Sequence, residues 1–560
     1  MFRPTHEPQS KRHVRTSYFV VGEGILADSG EEGPAQPATA STVAALRKFQ
    51  FSRLGPAAKP AQLLDRPARE ELAESMTKAG PQPDSSNPAT PAGFTYLGQF
   101  VDHDLTLDAT AVRLEDEVTV RQLLQGRSPA LDLDSLYGLG PDNRFDRRFY
   151  EDDGLRLRTG TTQGLPAPDG DHIVGLPLGG FDLPRVGQGS LISERRRPLI
   201  PDGRNDENLV VAQIHSAFIR FHNRVVADLV GKGVSSAVLF ETARETVVKH
   251  YQWMLRHDFL PRIVDPGVVD EVFTKGRRFF EPAPGEHERP TMPIEFSVAA
   301  YRLGHSMVRG AYNWNRIFDN GAGTLPLLFR FTGTSGILSP PPADAGDPEA
   351  GTFERLPTNW IADFRRLFDF REAGRDDLGV PAERFNLAKR IDTQLVNPLA
   401  DLPLGSFGGR GAPAPDPVEL NLAFRNLTRA NMMSLATGQQ MAKYLGVKPL
   451  LPSDFENGGG AQLSEGLRKR LAANCPLWFY ILREAEVNGG GRLTGVGGRI
   501  VAEVFHRAME GSRYSIVRDP FWRPFLSPVA DRNAKDVFEM TDLMLYAFEG
   551  RADLLNPLGD

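Results

Sequence analysis

The sequence predicts a mainly α protein, with one large helical core wrapped by long surface loops and few strands. Three observations predict it. Apolar residues recur with helical spacing over several long segments, while convincing period-2 alternation is scarce. Stretches rich in Pro, Gly, Ala and Ser separate those segments and read as loops. Forty per cent of the 560 residues are hydrophobic, including 34 Phe, which is enough apolar material for a large core.

Taken in order, residues 1–90 ("EEGPAQPATAST", "GPQPDSSNPATPAG") are Pro-, Ala- and Ser-rich. They are expected to form an arm with one or two short helices, leaving 91–560 as a single domain. Similar punctuation at 158–172, 339–351 and 408–417 is assigned to surface loops. The segment 207–229 is apolar nearly all round and predicts a buried helix. Helical spacing also marks 238–258, 292–308, 419–445 and 464–484. No internal repeat is apparent.

Composition excludes several classes. The net charge is −6 with no long basic run, so nucleic-acid binding lacks an electrostatic footprint. No apolar stretch reaches transmembrane length, and the basic start "MFRPTHEPQSKRHVRT" leads into no signal-length apolar run. A soluble protein is expected, cytoplasmic or exported without a conventional signal. Cys475 is the sole cysteine, which excludes an intramolecular disulfide and leaves stability to packing, ions or a cofactor. Neither G-x-x-x-x-G-K-[ST] nor H-E-x-x-H occurs, and "GVGG" at 495–498 lacks a preceding strand and reads as a helix lead-in. His215 and His222 share a helix face and permit a metal pair, but they are read as hydrogen-bonded core histidines.

Residues 98–105, "GQFVDHDL", place two aspartates around one histidine. On a helix Gln99 and His103 share a face as i and i+4, and Asp102 borders it. Asp104 is rotated by about 140° from Gln99 and points elsewhere. The segment is either a functional cluster or a helix end with solvated acids. In "SPALDLDSLYG" (128–138), oxygens of Ser128, Ala130, Asp132 and Asp134 can wrap a hard cation such as Ca²⁺, with Asp104 closing the shell. An acidic surface turn is the alternative, and the spacing is not that of an EF-hand.

Together these two stretches resemble the distal-histidine motif and following calcium loop of the animal-type haem peroxidases, in the peroxidase–cyclooxygenase superfamily. Further segments continue the resemblance in order. "DGRNDEN" resembles the family's segment bearing the catalytic arginine (Arg204) and an ester-forming glutamate (Glu207). "AAYRLGHSMVRG" resembles the proximal segment, implying His305 as haem-iron ligand and Arg302 at a propionate or the haem edge. "FRNLTRAN" implies Asn426 as the acceptor from His305 and Arg429 at a propionate. "GVGGRIVAEVFHRAMEGSRY" resembles the C-terminal helix. The resemblance implies a single helical peroxidase domain, haem b with ester links available through Asp102 and Glu207, and Ca²⁺ at Asp104, Ser128, Ala130, Asp132 and Asp134. It further implies that His103 is the acid–base residue, Arg204 its electrostatic partner and Gln99 a holder of halide or water. The implied activity reduces H₂O₂ and oxidises a halide, pseudohalide or small organic donor, with a role in the response to oxidative stress.

Two departures bear on the branch. Asn208 stands where one branch has a methionine bonded to a haem vinyl, which excludes a sulfonium link. The radical tyrosine of the fatty-acid oxygenases lies three residues before the proximal histidine, and Arg302 occupies that position here. Tyr301, one helical step away, is expected to face elsewhere, so peroxidase is preferred over fatty-acid dioxygenase. A calcium-binding interaction protein with a vestigial haem site is the third reading, against which the intact His103, Arg204, His305 and Asn426 argue.

Overall fold

A computed structural model describes residues 18–20, 24–26 and 49–560, except 79–85, 109–113, 167–170, 286–287, 342–346, 348, 403–415 and 457–462. Much of the expected arm and nearly all of the loop at 408–417 therefore lie outside the described residues. Helices of eight or more residues are α1 Arg66–Thr77, α2 Gly93–Leu105, α3 Leu209–Gly231, α4 Ser236–Met254 and α5 Pro266–Lys275. They continue with α6 Leu422–Met432, α7 Gly438–Leu445, α8 Glu465–Ala473, α9 Leu477–Asn488, α10 Gly495–Gly511 and α11 Met540–Ala547. Strands among the described residues form only two-stranded pairings. The mainly α expectation holds.

Helix α3 is the central element. Asn208 caps it, its side chain accepting from the Val211 N–H at 3.0 Å. Its buried face includes Val210, Ile214, Phe218 and Phe221, and α2, α4 and α11 pack around it. Each such fully buried side chain contributes about 1.5–3 kcal/mol. Helix α4 runs into a five-residue π turn, Leu255–Phe259, before one further helical turn, Leu260–Ile263.

Helix α2 begins where the chain passes close to its neighbours. A Cβ on Gly93 would lie 2.3 Å from the Phe368 ring and 2.7 Å from the Leu367 carbonyl. It ends at Thr106, whose extended backbone donates its N–H to Asp102 O at 2.8 Å.

Several expected boundaries change. The packed body begins well before residue 91. Phe51–Ser52 pairs with Met292–Pro293, and α1 buries Leu72, Ala73 and Met76 while packing on α6. Its apolar spacing is masked by the surrounding Pro and Ala. The expected helix at 292–308 is broken into a helical turn at Ile294–Ser297, a 3₁₀ turn at Ala300–Leu303 and another helical turn at Gly304–Met307. The segment 419–445 divides at 433–437, where Ser434 takes a positive φ of 48°. The segment 464–484 divides at Pro476, which lacks the N–H that a continuous helix needs.

Candidate functional site

Two neighbouring cavities lie among these elements. The larger is mostly apolar and lies between α2 and the broken segment at 294–307. Gln99 and Asp102 line it from α2, and Tyr301, Arg302, Gly304 and His305 line it from the other side. The smaller is lined by Arg204, Arg302, Asn426 and Arg429 together with Thr106 and Asp108. Arg302 belongs to both.

On the proximal side, His305 sits in the short turn after Gly304. A Cβ on Gly304 would meet nothing within 4 Å, so the space beside the histidine is open. Burial, with the nearby Arg302 charge adding, pushes the imidazole pKa down to about 3. The ring is therefore neutral, the form that ligates metals. Nδ1 lies 2.8 Å from the side-chain amide of Asn426, which presents its nitrogen. The expected acceptor role requires the amide's other orientation, a half-turn that exchanges two nearly isosteric atoms. Arg429 pairs with Asp108, a carboxylate the sequence reading did not assign. Trp478 packs edge-on to His305 with ring centroids 6.4 Å apart and donates its N–H to Arg302 O.

On the distal side, His103 is fully buried just behind the cavity wall. Nδ1 lies 2.8 Å from Asn205 Oδ1, and the same amide's nitrogen lies 2.9 Å from His215 Nδ1. An Oδ1 acceptor puts the His103 proton on Nδ1 and leaves the Nε2 lone pair available. Nε2 has no hydrogen-bond partner and is 3.3 Å from Glu207 Oε1. That oxygen accepts from Gln99 Nε2 at 2.5 Å, and Gln99 Oε1 accepts from Asn208 Nδ2 at 2.7 Å. Both ends of Gln99 are thus engaged. Glu207 Oε2 is buried without a partner, and Asp102 reaches the cavity directly. Asn205 escaped the sequence reading, although it adjoins Arg204. Its role depends on the 3₁₀ turn Gly203–Asp206, for which no periodicity signal exists.

The loop at 128–138 packs against α2. Leu133 takes a left-handed φ of 59°, which turns Asp132 and Asp134 toward Asp104. One carboxylate oxygen from each lies within 4.8 Å of the others. Asp104 also accepts weakly from Leu133 N–H, Ser135 N–H and Tyr251 OH. Ser128 OH donates to Asp132 at 3.3 Å, and the Ala130 carbonyl accepts from Asp132 N–H. Burial pushes the Asp104 carboxyl far up, with Asp134 and Asp132 adding to it. Burial also raises Asp132 and carries Asp134 up to about 7, with Arg127 opposing and Asp132 reinforcing. Asp132 Oδ1 and Asp134 Oδ1 have no partner.

Two other expectations meet different outcomes. His222 bonds to Tyr137 OH and Leu155 O, and His215 to Asn205, so both are hydrogen-bonded core residues as read. Tyr301 does not turn away from the site. It lines the larger cavity, and its hydroxyl, without a hydrogen-bond partner, lies 3.9 Å from where a Cβ on Gly98 would be. The expectation assumed an α-helical step of about 100°, whereas this segment is 3₁₀, with about 120° per residue and a break before His305.

Comparison with known proteins agrees with this geometry. The chain is similar to a peroxidase-like protein of Margaritifera margaritifera, 27% identical over 270 residues, covering 42% of this chain and 33% of that protein. It thus spans about a third of that relative's length. Its fold is similar to peroxidase A from Dictyostelium discoideum (TM-score 0.54, 15% identity, 94% of this chain and 99% of that one). It is also similar to a fatty acid alpha-dioxygenase of Arabidopsis thaliana (TM-score 0.51, 13% identity, 90% and 78%). Residues 108–332 match the animal haem peroxidase family model, a stretch that holds Arg204, Glu207 and His305. The segment that carries Arg204, Glu207 and His305 is thus similar to the animal haem peroxidase family, and the fold is similar to that of a solved peroxidase.

Proposed function

We propose that the protein is a haem peroxidase that reduces H₂O₂ and oxidises a halide, pseudohalide or small organic donor. One observation carries the reading: His305 lines the larger cavity, the fully buried His103 adjoins the cavity-lining Asp102, and each is held through Nδ1 by an asparagine amide. The residues suit haem. The cavity is mostly apolar, as ligand sites generally are, and is open beside the neutral His305.

His305 Nε2 would ligate the iron, Arg302 and Arg429 would meet the propionates, and Asp102 and Glu207 are placed as candidates for ester links. Bound haem would supply the redox centre at which the O–O bond is cleaved. The protein's own work is proton transfer and electrostatics. His103, protonated on Nδ1, takes a proton from peroxide at Nε2 and returns it to the leaving oxygen. Arg204 stabilises the charge developing on that oxygen, a preorganised contribution of about 3–4 kcal/mol per group. Asn205 holds His103 in the required tautomer.

Calcium is proposed for the Asp104–Asp132–Asp134 cluster, where three acids crowd together and Asp132 and Asp134 each keep an unpartnered oxygen, an arrangement that suits a hard cation. Haem-reconstituted protein is expected to show a Soret band and to consume peroxide, and His103→Ala is expected to remove that consumption. A protein with no haem spectrum, or a fully active His103→Ala variant, would sink the reading. Acid–solvent extraction tests the ester links, since linked haem stays with the polypeptide.

The second reading is a haem fatty-acid dioxygenase, and the placement of Tyr301 against the cavity favours it. Oxygen uptake with a long-chain fatty acid, abolished in Tyr301→Phe, would establish it over the first.

A further inference from the structure

Arg204 is the end of a buried chain of charges. Asp202, two residues earlier, is fully buried and accepts from the Arg204 backbone N–H at 3.0 Å, from Nε at 3.1 Å and from Nη2 at 2.7 Å. Nη2 also donates to the carbonyls of Thr106 at 2.7 Å and His103 at 3.2 Å. Arg204 thus closes the C-terminal turn of α2, where orphan carbonyls favour a cation. Its Nη1 has no hydrogen-bond partner among the described residues, and the side chain borders the smaller cavity.

Asp202 is shared. Its Oδ2 also accepts from Arg127 Nε at 2.8 Å. Arg127 donates from Nη2 to Pro201 O at 2.9 Å, and its Nη1 lies 3.9 Å from Asp134 Oδ1. The order Asp134, Arg127, Asp202, Arg204 alternates in sign, with side chains 18%, 7%, 0% and 1% exposed. At such burial solvent screens little. Although burial opposes ionisation, the two arginines hold Asp202 well below the usual carboxylate range.

We propose that Asp202 is a positioning residue that fixes the Arg204 guanidinium with Nη1 toward the cavity, and that Arg127 ties this position to the Asp134 loop. A guanidinium is planar, so holding Nε and Nη2 fixes where Nη1 points. A cation beside Asp134 withdraws that carboxylate from Arg127, which then leans more fully on Asp202. Asp202 neutralises Arg204 less, and Arg204 meets an anion in the cavity with more of its charge. Linkage makes the effect reciprocal: an anion held by Arg204 tightens cation binding at the loop. This route is separate from the covalent adjacency of His103 and Asp104. It rests on the peroxidase reading only for the use made of Arg204.

The test uses the full chain reconstituted with haem, with fluoride as the anionic probe, its Kd read from the Soret absorbance. Arg204→Ala is expected to weaken fluoride by about tenfold, the loss of one charge-assisted hydrogen bond, and Asp202→Asn by a similar factor, because losing the fixed direction of Nη1 removes that bond and outweighs the charge released. The double variant should bind no more weakly than Arg204→Ala alone. In the wild type, chelating calcium should weaken fluoride by about threefold or more, and in Arg127→Gln by less than about twofold. Because an altered buried charge can prevent folding, Asp134→Asn is measured in chelator as well. It lies at the more exposed end of the chain and is expected to tighten fluoride. Asp202→Asn with wild-type affinity, losses that multiply in the double variant, an unchanged calcium response in Arg127→Gln, or a silent Asp134→Asn would each overturn the proposal. If no haem spectrum forms, or Arg204→Ala changes neither fluoride binding nor the peroxide rate, the peroxidase reading falls and this proposal with it. An effect of Arg204→Ala with Asp202→Asn silent overturns the proposal alone.

Discussion

An amide rather than a carboxylate stands beside His305, and that choice has a measurable effect. A neutral acceptor leaves the imidazole less anionic, which favours a more oxidising iron. Asn426→Asp is expected to lower the ferric–ferrous midpoint by on the order of 59 mV, a tenfold change in the one-electron equilibrium. Potentiometry of the haem-loaded variant reads this, and an unchanged or raised potential would contradict it. His305 and Asn426 were legible because their motifs carry fixed spacings. Asn205, Asp202 and Asp108 were not. Each acts on a partner distant in sequence, His103, Arg127 and Arg429 respectively, and no local pattern encodes such a meeting.

Among elements, the start of α10 depends on a buried acid. Glu484 of α9 accepts from the backbone N–H groups of Val496 and Gly497 at 3.0 and 3.1 Å. Burial nevertheless carries its pKa up to about 7, with the two N–H groups opposing. A folded-state value above the unfolded one means that the native protein holds the proton more tightly. The contribution is fully present below the unfolded pKa, near 4.5, and is lost as pH rises through 7. The full swing is about 3 kcal/mol. Glu484→Gln is expected to flatten that part of the profile, so denaturant unfolding at pH 5 and pH 8 should differ less in the variant. Equal pH sensitivity in both proteins would refute this. Helix existence was well legible from apolar spacing, as α3 and α4 show. Helix breaks were not, since apolar residues at 292–308 keep their spacing across the interruptions while tertiary contacts decide the backbone.

For the whole molecule, α2 joins the two proposed sites, with Asp102 on the cavity and Asp104 on the loop. Removing calcium is therefore expected to lower haem retention and peroxidase activity together. Repulsion among three unscreened acids would loosen the helix that carries His103. Haem occupancy and turnover measured before and after chelation and gel filtration check this. Full activity with no residual calcium would dismiss the coupling. The large single core and its looped surface could be read from composition and periodicity. Where the packed body begins could not, because the Pro- and Ala-rich sequence around α1 hides four buried positions, Leu64, Ala68, Leu72 and Met76.

The π turn at Leu255–Phe259 suggests how this scaffold can be reshaped. π turns arise as single-residue insertions in an α-helix, and here the turn delivers Phe259 to the cavity wall, 3.2 Å from a Cβ placed on Gly98. Deleting one residue from it would restore regular winding and swing Phe259 round by about 100°. Cavity space would open without any change to either histidine, their asparagines or the acidic loop at 128–138. Length variation in one helix is thus a route by which one scaffold could change what its cavity admits, whether by natural drift or by design.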